Sequence, residues 1–208
     1  MTPAVSLFSR VRALPALSLL AFALALGGCS TTDVAVSGGA TAGVAASQER
    51  GIDGAVSDTQ ISAEINYAWL QNSVNMFHEL NLSVYDGRVM ITGVLPNQAK
   101  ADEAVALAWK PKGVREVINE IIVDPSGTTG SFATDTWITA QLQAKLLFDR
   151  DISAVNYSVD TVRGVVYIMG VAQSQTELDR VIGYARNIEY VKKVVNHAIL
   201  KSDAKRKS

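Results

Sequence analysis

Apolar and polar positions along the chain fall into regular elements from residue 58 onward. Ile61, Ile65 and Trp69 recur at helical spacing, and the runs Leu80-x-Leu82-x-Val84 and Val89-x-Ile91 alternate as strands do. Asp86-Gly87 between those runs is a hairpin-turn signal. Ala101, Ala104, Val105 and Ala108 form the stripe of a second helix, and residues 114–123 read as a closing strand. The same order returns 77 positions later: 58–123 laid without gaps on 135–200 gives 17 identities in 66 pairs. Asp58-Thr59-x-Ile61-x-Ala63 matches Asp135-Thr136-x-Ile138-x-Ala140, and Val89-x-Ile91-x-Gly93-Val94 matches Val166-x-Ile168-x-Gly170-Val171. Val114-x-x-Val117-x-Asn119-x-x-Ile122 likewise matches Val191-x-x-Val194-x-Asn196-x-x-Ile199. The chain is a tandem duplication, with domains expected at 58–124 and 135–200 and a turn-rich linker at 125–134.

In the second copy, Ile138, Leu142 and Leu146 mark the core face of the opening helix. Val155-x-Tyr157-x-Val159 and Val166-x-Ile168 are the strand pair, around a turn two residues longer than in the first copy. Leu178, Val181, Ile182 and Ala185 stripe the second helix behind a Ser174…Glu177 capping box. Asp58 and Asp135 are the expected N-caps of the opening helices. Each unit therefore reads αββαβ. The fold class is α+β, a three-stranded mixed sheet packed on two helices, with a right-handed crossover between its parallel strands.

The copies differ on one helix. Trp137, Ala140, Ala144, Leu147 and Phe148 form a second apolar stripe, opposite the core face; the first copy has Gln60, Ala63, Tyr67, Leu70 and Gln71 there. The first copy folds with glutamine at both ends, so the fold does not demand Trp137 or Phe148. An extra apolar stripe on a surface helix marks a membrane or a partner. Docking on the first domain is the alternative, since units of this size have small cores.

The chain's start changes the picture. Arg10 and Arg12 precede a 14-residue apolar run, 13–26, too short to span a bilayer and interrupted by Pro15. Leu26-Gly27-Gly28-Cys29 closes it and resembles the lipobox of bacterial lipoproteins. The resemblance implies a signal peptide at 1–28, cleavage before Cys29, and palmitate-type acylation there. A residue after the Cys that is Ser30 rather than Asp implies sorting to the outer membrane. Residues 29–57, rich in Gly, Ala, Ser and Thr, read as a flexible tether, and 201–208 as a basic tail.

Composition narrows the chemistry. Nineteen Lys+Arg stand against 20 Asp+Glu, which excludes a broad nucleic-acid footprint. A single Cys excludes an intramolecular disulfide and a Cys-rich metal site. The two histidines, His78 and His197, occupy non-equivalent repeat positions, because His197 aligns with Glu120, and neither has ligand spacing. No nucleophile elbow or phosphate loop occurs. A non-enzymatic protein without cofactor or metal is expected.

The element order, the strand–Gly-Val–helix pattern and the Val-x-x-Val-x-Asn-x-x-Ile endings resemble BON domains. Two of them behind a lipobox resemble the dual-BON outer-membrane lipoproteins. That resemblance implies a lipid-anchored protein on the periplasmic face of the outer membrane, supporting envelope integrity. It also implies anionic phospholipid contact through the opening helix of the second domain, whose Asp135-Thr136-Trp137-Ile138 start matches the family. The contact residues would be Trp137, Ala140, Gln141, Ala144, Lys145, Leu147 and Phe148. The basic residues expected along that helix are replaced by Gln141 and Gln143, leaving Lys145, which weakens headgroup attraction by about 1 kcal/mol per cation. The other reading is a lipid-anchored adaptor that binds envelope or outer-membrane assembly proteins.

Overall fold

Two copies of one pattern give two copies of one architecture. The computed structural model of the chain describes residues 44, 46–126 and 131–203; the leader, Cys29, most of the tether, 127–130 and the end of the tail lie outside them. The first repeat is α1 (Gly51–Asn72), α2 (Val74–Glu79), β1 (Leu80–Tyr85), β2 (Arg88–Leu95), α3 (Gln98–Ala108) and β3 (Glu116–Val123). The second is α4 (Phe132–Phe148), a 3-10 turn at Ala154–Asn156, β4 (Tyr157–Val162), β5 (Val165–Ala172), α5 (Gln175–Arg186), β6 (Lys193–Asn196) and β7 (Ile199–Leu200). In each, the first two strands pair antiparallel and the last returns parallel to the second after a helical crossover. This is the expected α+β class, with mixed sheets and αββαβ order.

The structure departs from the sequence pattern in five local features. The hairpin turns are two residues long in both copies, since Tyr85 pairs with Arg88 and Val162 with Val165. Asp86, Gly87, Arg163 and Gly164 all have positive φ, the backbone that suits a two-residue hairpin. The opening helices begin earlier than expected. α4 starts at Phe132, where the Ser131 side chain accepts from Thr134 N, and α1 starts at Gly51, inside the stretch read as tether. Asp58 and Asp135 are therefore not N-caps. Their carboxylates reach across the fold to the hairpin turns: Asp58 accepts from Asp86 N and Gly87 N at 2.7 and 2.8 Å, and Asp135 from Arg163 N and Gly164 N at 2.7 and 2.8 Å. Each is buried, so the repeated Asp-Thr motif is a clamp between helix and hairpin. Finally, the closing strand of the second copy is interrupted between β6 and β7, where Asn196 Oδ1 accepts from Ala198 N. The capping box is half formed: Ser174 accepts from Glu177 N, while Glu177 accepts from Gln173 N and Ser153 N.

Odd-numbered positions of β2 and even-numbered positions of β5 face the helices. Val89, Ile91 and Leu95 join Ile61, Ile65 and Trp69 in one core; Val166, Ile168 and Ala172 join Ile138, Leu142 and Leu146 in the other. The opposite sheet faces close on each other in a third core of Tyr85, Met90, Val94, Ile118, Val162, Tyr167, Met169 and Val171, and polar contacts cross the same junction, where Arg88 Nη1 donates to His197 O at 2.9 Å and Thr92 Oγ1 donates to Asp160. Residues 46–50 stitch this junction. Gln48 Nε2 donates to Val155 O and Glu49 N to Asn156 Oδ1, each at 2.9 Å, and the Arg50 guanidinium lies over the Tyr85 ring and pairs with Asp58. Residues 42–208 form one compact unit, and all three cores close within it.

The repeated Gly-Val pair has a steric cause. Gly93 and Gly170 have φ of +128 and +146, and a Cβ at either would sit 2.2 and 2.0 Å from the carbonyl oxygens of Glu79 and Asn156. Gly170→Ala is thus expected to lower the melting temperature of the 42–208 unit sharply or prevent folding; a melt within a degree or so of wild type, on the scale of, contradicts this account. Asp135→Asn keeps the shape but sets an amide N–H against a turn N–H. It should cost about 2 kcal/mol, read as a melting temperature lower by roughly 6 °C.

Candidate functional site

The helix α4 is fixed on one side by its core face and at its start by Asp135. Ile138, Leu142 and Leu146 are fully buried, so the diametrically opposite stripe points away from the core. Trp137, Leu147 and Phe148 are 41%, 69% and 84% exposed, and Ala140, Gln141, Ala144 and Lys145 are exposed beside them. The structure thus places all seven expected residues on the outer side of one helix. Ala133 extends the stripe to the helix start, and Phe132, 77% exposed, stands on the flank beside it. Both fell in the stretch read as linker, because the helix was expected to begin at Asp135.

Docking of this stripe on the first repeat is not what holds the repeats together. The sheet faces do that, and Trp137, Leu147 and Phe148 remain outside the third core. A cleft of about 300 Å³ between the repeats reaches the flank of α4 at Phe132, Thr136, Thr139 and Gln143 and touches the stripe at Ala140. The corresponding helix α1 also exposes Val56, Tyr67 and Leu70, but it carries Gln60 and Gln71 where α4 has Trp137 and Phe148.

Neighbouring segments complete the surface. The Tyr190 ring meets Trp137 edge-on, with centroids 6.0 Å apart and planes at 65°. Lys192 borders the same hollow as Tyr190, at the N-terminal end of α4. At the other end Lys145 and Arg150 flank Phe148, with Lys145 Nζ 5.8 Å from the Tyr184 ring centroid. Asp149 is engaged there: its carboxylate accepts from Asp151 N and the Tyr184 hydroxyl and meets Arg180, and these hydrogen bonds hold its pKa below the ordinary value. Asp124 is held lower still, at about 2, by the Ser126 hydroxyl and N–H and then by Arg163. The surface therefore combines an apolar stripe with cations at both ends. Sequence reasoning counted Lys145 alone, because Arg150 and Lys192 lie outside the helix and reach it only through the fold.

The histidines are structural neighbours. His197 Nε2 lies 2.7 Å from Glu120 Oε1 across the junction of the repeats, and His78 contacts the Phe77 ring edge-on. Among the described residues no three His, Cys, Asp or Glu group as a metal site, and no helix is long and apolar enough to cross a membrane.

Comparison with known proteins agrees with this architecture. The BON domain model matches residues 57–125 and 134–202. An uncharacterized protein in the gshII 5′ region of Anaplasma centrale is 40% identical over 70% of this chain and 96% of its own length. The outer membrane lipoprotein DolP of Haemophilus influenzae is 31% identical over 85% of this chain and 91% of its own. Osmotically-inducible protein Y of Escherichia coli (strain K12) is 30% identical over 67% of this chain and 70% of its own. The chain belongs to the BON-domain family, carries the domain twice, and is similar over most of its length to an envelope lipoprotein of that family.

Proposed function

We propose that this protein is a lipid-anchored envelope protein that binds phospholipid through the outer face of α4. In this reading Cys29 carries the acyl chains and the folded unit faces the periplasm from the outer membrane. The observation that carries it is the exposed stripe of Trp137, Ala140, Ala144, Leu147 and Phe148, flanked by Lys145, Arg150 and Lys192. An apolar face bordered by cations suits the boundary between acyl chains and anionic headgroups, and Trp suits that depth because its ring is apolar while its N–H stays hydrated. Similarity to an outer membrane lipoprotein supports the location. The role in this reading is binding: holding the folded unit against the membrane and supporting envelope integrity. Gln141 sits at the edge of the stripe and contributes a polar headgroup contact.

Two experiments test this reading. In the 42–208 unit, Trp137→Glu sets an unpaired carboxylate where the indole enters the interface. Binding to phosphatidylglycerol-containing vesicles should fall roughly tenfold or more, with an unchanged melt, while Gln60→Glu, the matched change in the first repeat, binds as wild type. Wild-type protein that ignores such vesicles makes the adaptor reading the better one. For the anchor, Cys29→Ala in the full chain should abolish incorporation of labelled palmitate; equal labelling of the variant sinks the assignment.

A further inference from the structure

Position 190 separates the repeats in a direction that folding alone opposes. Its equivalent in the first repeat is Gly113, with φ +98. Tyr190 holds the same left-handed region, with φ 66. A side chain there crowds its own backbone, so glycine is the default occupant and an aromatic residue carries strain. The surrounding loop is the same in both copies: Arg115 N donates to Gly87 O, and Lys192 N to Gly164 O, each at 2.8 Å. A glycine would therefore serve the second loop as it serves the first.

The tyrosine instead meets Trp137, which is itself Gln60 in the first repeat. Two departures between the copies, 53 positions apart in sequence, thus come together at one spot on the surface. Both install an amphipathic aromatic, 41% exposed at Trp137 and 61% at Tyr190, so neither is there to fill a core. The Glu189 carboxylate accepts from the Tyr190 hydroxyl, which gives the ring a hydrogen-bonded polar tip. Lys192 stands beside it at the rim of the same hollow. An apolar ring with a polar tip matches the headgroup level of a bilayer, and Lys192 offsets the Glu189 carboxylate there.

We propose that Tyr190 is a second membrane-contact residue, a strained aromatic from the loop before β6 that extends the phospholipid-binding face beyond α4. The proposal rests on the reading that this face binds phospholipid. Its signature is that improving the backbone weakens the function.

The test compares wild type, Tyr190→Gly, Tyr190→Asn and Tyr190→Phe in the 42–208 unit. Co-sedimentation uses vesicles of phosphatidylethanolamine with phosphatidylglycerol. Glycine and asparagine both tolerate the left-handed conformation, so both variants should melt at or above the wild-type temperature. Both should bind vesicles about threefold to tenfold more weakly, the range of an aromatic contact, while Tyr190→Phe stays close to wild type. Wild-type binding by Tyr190→Gly and Tyr190→Asn, with Trp137→Glu still impaired, overturns the role of Tyr190 and leaves the phospholipid reading standing. A marked loss of melting temperature in both variants also overturns it, because the tyrosine is then a folding residue. A wild-type protein that binds no vesicles removes the phospholipid reading and this proposal together.

Discussion

The constraint on which this molecule turns is that each sheet carries large apolar residues on both faces. Two short helices can cover one face. The other, carrying Met90 and Val94 in the first repeat and Tyr167, Met169 and Val171 in the second, has to be covered by something else. Each repeat supplies the cover for its twin, and a third core results. Six of the eight members of that core correspond in pairs under the 77-residue shift: Tyr85 with Val162, Met90 with Tyr167, Val94 with Val171; Met169 stands where the first repeat has the buried Thr92. Glu120 and His197, equivalent positions, face each other at 2.7 Å. Contact between equivalent residues is what a quasi-twofold arrangement produces near its axis. Duplication thus solved a burial problem that one copy could not solve alone.

That solution fixes where function can reside. With the free sheet faces consumed by each other, the helices form the outside of the molecule. The first repeat has glutamine at positions 60 and 71 of its opening helix, whereas the second carries the aromatics Trp137 and Phe148 on the equivalent positions. The apolar stripe of α4 is therefore a surplus over what the fold requires. Cations arrive beside it from the segment after the helix and from the loop before β6, so the surface is assembled by tertiary structure around one helix.

Much of this was legible in the chain because it depends on period. The repeat, the core stripes, the element order and the outward apolar stripe of α4 all follow from spacing. What was not legible depends on contacts between distant segments. Asp58 and Asp135 look like helix caps by position, yet their carboxylates bind hairpin turns 28 and 29 residues away. The extra turn of helix at α2 and the two-residue hairpin at Arg163-Gly164 carry no pattern of their own; only alignment to Asp86-Gly87 points to the second. The near-continuous apolar runs of β2 and β5 were a signal for two covered faces that alternation alone understates. Tyr190 shows itself only against Gly113, and its meaning only beside Trp137.

The central claim is that the outer face of α4 enters the bilayer interface, and the most direct measurement is tryptophan quenching by acyl-brominated phospholipids. Trp69 is fully buried, so a Trp109→Phe variant of the 42–208 unit leaves Trp137 as the exposed reporter. On vesicles containing brominated phosphatidylglycerol, the account expects strong quenching with a blue-shifted emission, as the indole leaves water for the acyl boundary. Vesicle-bound protein whose Trp137 emission is neither quenched nor shifted contradicts it.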